Sequence, residues 1–155
     1  MTSSSAHVSP DRRRRWLGVL ARAGHADLEA MCERFRPLPT YAWLRRPEAG
    51  LVMVRARIGG TGAKFNAGEM TITRCALQVE GGATGLGYVQ GRGARRAELC
   101  ALIDALMQDP QRQEHVEDVV IAPLERLQHA RRALAERKAA ATRVEFYTVA
   151  RGEAP

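Results

Sequence analysis

The sequence predicts an α+β domain in which a mostly antiparallel sheet of about four to five strands carries helices packed on one side. Two changes of hydrophobic period support this prediction. Apolar residues recur at helical spacing before about residue 40, whereas they alternate with period two from Tyr41 to about residue 90. The helical period then returns, and a last alternating segment, RVEFYTVAR, follows it near the carboxyl end.

Two helices are predicted in the amino-terminal part of the chain. The first begins at Ser9-Pro10, which is a favourable N-cap and first-turn pair, and Gly24 interrupts it. Its apolar face contains Trp16, Leu17, Leu20 and Ala21. The second helix is stopped by Pro37 and Pro39. Its apolar positions are Leu28, Met31, Cys32 and Phe35.

Strands are predicted at residues 51–58, 69–79 and 84–90, and in RVEFYTVAR. The segment ARRAELCALIDALMQ lies between the last two of these strands and has the spacing of a helix. Its apolar stripe consists of Leu99, Leu102, Ile103, Leu106 and Met107. Pro123 is expected to begin a further helix that ends at about Lys138.

Length and composition fit one intracellular domain. A chain of 155 residues can bury a core without disulfides or metal ions. We place the domain at residues 16–152, between a flexible basic tail, residues 1–15, and a short tail, residues 153–155. The three cysteines, which are widely spaced and form no CxxC motif, predict reduced, buried thiols in a cytoplasmic protein. No apolar run approaches the roughly 18 residues of a membrane span.

The net charge of +7 raises the question of nucleic-acid binding. The basic excess lies at the two ends of the chain, and aromatic residues make up only 5% of the sequence. Basic and aromatic residues are not interleaved, so few side chains are available to stack on bases. The charge therefore favours an acidic partner protein or a polyphosphate ligand over nucleic acid.

The segment ARIGGTGAKFNAGEMTITR places four glycines and one lysine between two strand-like segments. A phosphate-binding P-loop needs Gly-Lys-Ser/Thr at the start of a helix, but here one residue separates Gly62 from Lys64 and a strand follows. The dinucleotide fingerprint also fails, because GTGAKF lacks its third glycine and GLGYVQG spaces it one residue too far. The favoured interpretation is a hairpin connection in which Gly59, Gly60 and Gly62 supply positive φ angles.

The segment YVQGRGARRAEL runs from a strand through a glycine turn into a helix, which directs unpaired amides towards whatever lies in front of Gly91 and Gly93. Arg95 and Arg96 fall in the first helical turn, where the helix dipole disfavours each cation by a few tenths to about 1 kcal/mol. A phosphate or a partner's carboxylate would offset that cost, and Arg92 would add a forked donor pair. The hypothesis is an anion or acidic-partner site at these three arginines, and the alternative is a solvated helix face.

No pattern of catalytic or metal-binding residues is evident. The four histidines form no HExxH or other metal spacing, and no Gly-x-Ser-x-Gly elbow exists. Glu98 is expected to pair with Arg95, three residues earlier, and Asp104 with a nearby arginine. The inventory of residues therefore favours a binding or scaffolding domain.

Four segments together resemble a known family. They are GLVMVRARIGGTGAKFNAGEMTITRCALQV, LGYVQGRGARRAELCALIDALMQ, IAPLE and TRVEFYTVARG. In this order and at this spacing they resemble the PhnG family, the G subunit of the bacterial carbon-phosphorus lyase core complex of phosphonate degradation. The resemblance covers about Trp16 to Gly152, and the residues through Arg15 have no counterpart in it.

The resemblance implies a subunit that assembles with H, I and J subunits, and with the ATPase-like K and L subunits. Such a complex acts as a ribose 1-methylphosphonate 5-triphosphate synthase, in which a phosphonate displaces adenine from ATP. The J subunit, which holds an iron-sulfur cluster and SAM, later cleaves the carbon-phosphorus bond. Because the nucleosidase-type chemistry is attributed to the I subunit, the chain would be a non-autonomous subunit of a transferase that binds no cofactor alone.

Two roles in such a complex remain open. The chain either shapes the active site of the I subunit as an assembly subunit, or contributes anion-binding arginines to the shared ATP and phosphonate site. Phe65 beside the glycine turn favours a partner contact for the loop. A stand-alone enzyme and a nucleic-acid-binding module are more distant alternatives, and the catalytic residues are unknown. The candidate partner-interface or anion-binding residues are Gly59, Gly60, Thr61, Gly62, Lys64, Phe65, Arg74, Gln90, Gly91, Arg92, Arg95 and Arg96.

Overall fold

The computed structural model describes residues 8–142, and in that range it confirms the α+β class. The elements are α1 (Pro10–Arg22), α2 (His25–Glu33), β1 (Tyr41–Arg57), β2 (Lys64–Val79), β3 (Thr84–Gln90), α3 (Ala94–Met107), α4 (Pro110–Val116) and α5 (Ala122–Ala141). A short 3₁₀ turn, Ile58–Gly60, connects β1 to β2, and a π-helical turn, Glu117–Ile121, joins α4 to α5. No helix in the described range is long and apolar enough to cross a membrane.

The strands form one antiparallel sheet in the order β1-β2-β3, which confirms the antiparallel prediction. Within residues 8–142 the sheet has three strands, fewer than the four to five predicted. The alternating residues from Tyr41 onward form one long strand, because β1 stays paired with β2 from Tyr41–Val79 to Arg57–Lys64. The strand predicted in RVEFYTVAR lies outside the described residues.

Helix α3 is the centre of the core. The predicted apolar stripe is buried, but so is every residue from Leu99 to Met107, which makes the helix buried around its whole circumference. One face of the sheet packs on α3 through Cys75, Leu77 and Val89. We call this the inner face, and the opposite face, which exposes Leu86 and Tyr88, the outer face. Helices α1, α2 and α4 contact other sides of α3.

Two glycines of β3 allow α3 to approach the sheet closely. A Cβ atom at Gly85 would lie 1.8 Å from the carbonyl oxygen of Ala101, and one at Gly87 would lie 1.9 Å from that of Ala97. Both helix residues are alanines, so the two backbones pack almost directly against each other. Any side chain at either glycine would force the helix away from the strand.

The consecutive arginines near the amino terminus belong to α1. Arg13 donates hydrogen bonds to Asp104 of α3, and Arg15 forms an ion pair of 2.6 Å with Glu125 of α5. These long-range pairs fix the first turns of α1 to the body of the protein. The chain from residue 10 is therefore part of the folded domain, and not of the tail predicted for residues 1–15, whose first seven residues precede the described range.

The helix predicted to begin at Pro123 is confirmed as α5, which has this proline in its first turn. A helix that was not predicted, α4, precedes it and begins at Pro110, capped by the side chain of Asp109. It continues through the π-helical turn into α5, so that Pro123 lies inside a continuous helical segment. Proline lacks an N–H group and its ring would clash with the carbonyl four residues earlier in a regular helix. That carbonyl belongs to Val119, inside the wider π-helical turn, which relieves the clash.

We expect Gly85→Ala to lower the free energy of unfolding by about 3 kcal/mol, because the added methyl group overlaps the backbone of α3. Urea denaturation followed by circular dichroism measures the change. Gly50→Ala is the control, since a Cβ atom there meets nothing within 4 Å. Equal stability of the two variants would show that α3 does not pack on β3 at this distance.

Candidate functional site

The distal part of the β1–β2 hairpin extends beyond the rest of the sheet. β3 pairs with β2 only between Ile72 and Gln78, whereas β1 and β2 remain paired out to Arg57 and Lys64. We call residues 50–71 the hairpin arm. None of its residues is buried, so both of its faces are accessible.

The hairpin arm exposes several large apolar side chains to solvent. They are Leu51, Met53, Val54, Ile58 and Phe65, and their exposed fractions range from 36% to 73%. A two-stranded hairpin alone is at best marginally stable in water, and large apolar residues exposed together in one region are typical of interaction sites. The hairpin arm therefore has the features of a protein interaction surface.

The tip of the hairpin arm contains the glycine loop. Gly59 and Gly60 have φ angles of 59° and 80°, which confirms the predicted hairpin connection and two of its three positive φ angles. Gly62 does not have a positive φ angle, and this part of the prediction is wrong. Glycine fits there for another reason, because a Cβ atom would lie 2.7 Å from the carbonyl oxygen of Ile58. Thr61 ends the turn.

The second predicted cluster lies at the turn between β3 and α3. Gly91 has a φ angle of 79°, and its N–H group donates to the carbonyl of Thr71 at 2.8 Å. The Thr73 hydroxyl donates to the Gly91 carbonyl at 2.7 Å and accepts from the Gly93 N–H group at 3.0 Å. The amides of both glycines are therefore already bonded within the chain and are not directed at a ligand.

Arg95 is held between two carboxylates. It pairs with Glu29 of α2 at 3.1 Å and with Glu98 at 2.7 Å, which confirms the predicted Glu98–Arg95 pair. The Tyr41 hydroxyl donates to Glu98 at 2.6 Å, and burial together with this hydrogen bond raises the pKa of Tyr41 to about 12. Two carboxylates around one guanidinium leave excess negative charge, so this position is a poor anion site.

The other two arginines of the cluster differ from each other. The Arg96 side chain folds back and donates to the carbonyl of Gln90, while its Nε atom is buried without a hydrogen-bond partner. Arg92 is exposed, and within residues 8–142 it has neither an ion-pair nor a hydrogen-bond partner. Of the three predicted anion ligands, Arg92 is thus the one whose guanidinium has neither a hydrogen-bond nor an ion-pair partner in the described structure, whereas Arg96 lacks only an ion-pair partner there.

The two predicted clusters are far apart. Gln90 lies beside Ile72 on β2, and eight residues of strand separate Ile72 from Lys64, a span of about 25 Å. Arg74 lies on the outer face, where it pairs with Glu48 of β1 at 2.8 Å. The structure therefore does not combine the predicted residues into one site.

Asp104 is the residue whose role the sequence pattern did not reveal. It is fully buried, and it accepts hydrogen bonds from Arg13 at 2.7 and 3.2 Å, from the Trp16 indole at 2.8 Å and from the Leu86 amide at 2.9 Å. The predicted arginine partner exists, but it is 91 residues away in the chain. A carboxylate inside the apolar run LIDALM was the signal that could have indicated a buried acid.

The described part of the chain shows no arrangement of residues for binding a metal ion or for nucleophilic catalysis. It contains no group of three or more His, Cys, Asp or Glu residues that could hold a metal ion. The three cysteines are buried, as predicted, and burial raises the pKa of Cys32 and Cys75 to about 11 and that of Cys100 to about 12. These thiols are therefore protonated at neutral pH, and the catalytic residues remain unassigned.

We expect Asp104→Asn to lower the free energy of unfolding by about 3 kcal/mol, because it leaves the partly buried Arg13 without its counter-charge. Thermal and urea denaturation measure the loss. Asp11→Asn, which removes an exposed carboxylate paired with Arg14, is the matched control and should leave the unfolding midpoint unchanged. Unchanged stability in Asp104→Asn would contradict the role of this carboxylate.

Comparison with known proteins identifies the family of the chain. The family model described as "Phosphonate metabolism protein PhnG" matches residues 11–152. The chain is also 40% identical over 152 residues to the alpha-D-ribose 1-methylphosphonate 5-triphosphate synthase subunit PhnG of Rhizobium meliloti (strain 1021), an alignment that covers 98% of this chain and 96% of the relative. The resemblance seen in the sequence is confirmed, and the chain belongs to the PhnG family.

Proposed function

We propose that the chain is a subunit of a ribose 1-methylphosphonate 5-triphosphate synthase in a carbon-phosphorus lyase core complex. The complex transfers the triphosphoribosyl group of ATP to a phosphonate and releases adenine. In this proposal the chain binds the I subunit and shapes its active site, beside H and J subunits and the ATPase-like K and L subunits. The name of the Rhizobium relative, a synthase subunit, supports this assignment.

The exposed hairpin arm is the observation that carries the proposal. Its apolar side chains have no cover within residues 8–142, and its charged residues are mostly basic, with Arg55, Arg57 and Lys64 against Glu69. An acidic, partly apolar surface on a neighbouring subunit would complement both properties. Phe65 at the tip would be the aromatic anchor of that interface.

The cofactors of the reaction sequence belong to other subunits in this proposal. The protonated thiols of Cys32, Cys75 and Cys100 are each buried in the core, so we do not expect this chain to ligate an iron-sulfur cluster alone. The cluster and SAM are assigned to the J subunit, and ATP is the substrate of the complex. The reduced state of the three cysteines also agrees with a cytoplasmic location.

A second candidate role is direct contact with the substrates. Arg92 is the observation that favours it, because its exposed guanidinium has no partner within residues 8–142 and lies just before α3. In this alternative Arg92 would reach an anionic group of ATP or of the phosphonate in the active site of the neighbouring subunit. Arg95 and Arg96 would support the turn and not touch the ligand, because both already have partners within the chain.

We expect the double variant Lys64→Ala/Phe65→Ala to weaken association with the I subunit at least tenfold, which corresponds to about 1.4 kcal/mol. Co-expression with H, I and J subunits, followed by purification through a tag on this chain, measures the copurified I subunit. Leu134→Ala on α5 is the control, because Leu134 is as exposed as Phe65, at 46% against 44%, but lies outside the hairpin arm. Full copurification of the double variant would refute a partner contact at the tip.

The role of Arg92 is tested on the assembled complex with ATP, methylphosphonate and the L subunit. If the chain only shapes the neighbouring active site, Arg92→Ala should leave the rate of adenine release within twofold of wild type. If Arg92 binds substrate, the complex should assemble normally and lose at least tenfold in rate, since a charged hydrogen bond is worth about 1.5–3 kcal/mol. Arg112→Ala, an exposed arginine on α4, is the control.

A further inference from the structure

A groove of about 970 Å³ lies between α1 and the sheet, along the edge of β3 and the adjoining part of the outer face. We call it the outer groove. Its helix wall includes Leu17, Gly18 and Ala21, and its sheet wall includes Leu44, Ala76, Leu86 and Tyr88. The three large residues of the sheet wall are 44–57% exposed, so the described chain leaves this apolar surface open. The groove is distinct from the hairpin arm, which contributes no residue to its lining.

Every charged residue that lines the outer groove is an arginine: Arg13, Arg14, Arg45 and Arg74. Arg13 is neutralised by Asp104. Arg45 and Arg74 share one carboxylate, that of Glu48, at 3.5 and 2.8 Å, so within residues 8–142 one of these two charges is uncompensated. In the same range Arg14 meets only Asp11 at 3.2 Å, in an exposed pair that solvent screens. Both walls of the groove can therefore accept an additional carboxylate.

The walls of the outer groove favour a helical occupant. They consist mainly of side chains, and the Leu86 N–H group at the edge of β3 already donates to Asp104. An extended peptide would need backbone partners along the edge of β3, where the Leu86 N–H group is already taken, whereas a helix bonds its N–H and C=O groups internally and needs only side-chain contacts. The helix wall runs from Pro10 to Ala21, which is about 16 Å or three turns.

We propose that the outer groove binds an amphipathic helix of a partner subunit, with Asp or Glu residues on both sides of its apolar stripe. The inference rests on the proposed function, because the occupant comes from a subunit of the same complex. Gly18, which has no side chain, and Ala21, which has only a methyl group, let the helix approach α1 closely. The carboxylates beside the stripe then pair with Arg14 on one wall and with Arg45 or Arg74 on the other.

Site-specific photocrosslinking tests the proposal directly. p-Benzoylphenylalanine replaces Leu86 in the outer groove or, in a separate variant, Phe65 at the tip of the hairpin arm. Each variant is co-expressed with H, I and J subunits, purified, irradiated and analysed by mass spectrometry. We expect the Leu86 position to crosslink to one helical, acidic segment of a partner subunit. The same probe at Leu134, which is 46% exposed but outside the groove, should not reach that segment.

The outcomes separate this inference from the proposed function. A Phe65 crosslink to a partner, with no Leu86 crosslink, leaves the proposed function intact and overturns the groove inference. A Leu86 crosslink to a second copy, to this chain itself or to a segment without acidic residues also overturns it. Failure of the wild-type chain to copurify with any subunit overturns both.

Substitutions give an independent measure of the same contact. Leu86→Gln should weaken association with the crosslinked subunit at least tenfold, and Leu134→Gln should change it less than twofold. Arg14→Glu/Arg45→Glu should slow association about tenfold at low salt, with a smaller effect at high salt, because charges on the rim act mainly on the association rate. Wild-type affinity in Leu86→Gln would overturn the proposal. Unchanged thermal midpoints establish that each variant is folded.

Discussion

The buried carboxylate of Asp104 is the interaction on which the arrangement of the domain depends. A buried charge is tolerated only when its partners are close and well oriented, and Asp104 has three donor residues on two other elements, α1 and β3. Through Arg13 and Trp16 it fixes α1, and through the Leu86 amide it fixes the edge of β3. Together with the Arg15–Glu125 pair and the buried side chains of α1, Asp104 thus sets the position of α1 beside the sheet, and hence the helix wall of the outer groove.

The core is concentrated around α3, and the sheet is covered on one face only in its three-stranded part. At Gly85 and Gly87 the backbone of β3 packs directly against α3, and larger side chains such as Leu77 and Val89 fill the rest of the inner face. The outer face and the hairpin arm have no such cover within residues 8–142, and both expose large apolar residues. A domain built in this way completes its burial by association, which is the physical basis for describing it as a subunit.

Local chemistry made part of this structure predictable from the sequence. Ser9-Pro10 sets the start of α1, and Gly59 and Gly60 set the hairpin turn, because these effects act within a few residues. The Arg13–Asp104 pair and the contact of Gly85 with α3 were not predictable, because they join residues far apart in the chain. For the same reason the sequence grouped Arg92, Arg95 and Arg96, and only the fold shows that Glu29 neutralises Arg95.

The most direct test of the account is hydrogen exchange of the hairpin arm, measured for the isolated chain and for the assembled complex. The account predicts that amides of residues 50–71 exchange rapidly in the isolated chain and become at least a hundredfold slower in the complex, while those of α3 remain protected in both. Slow exchange of the hairpin arm in the isolated chain, or rapid exchange in the complex, would contradict the claim that a partner subunit covers it.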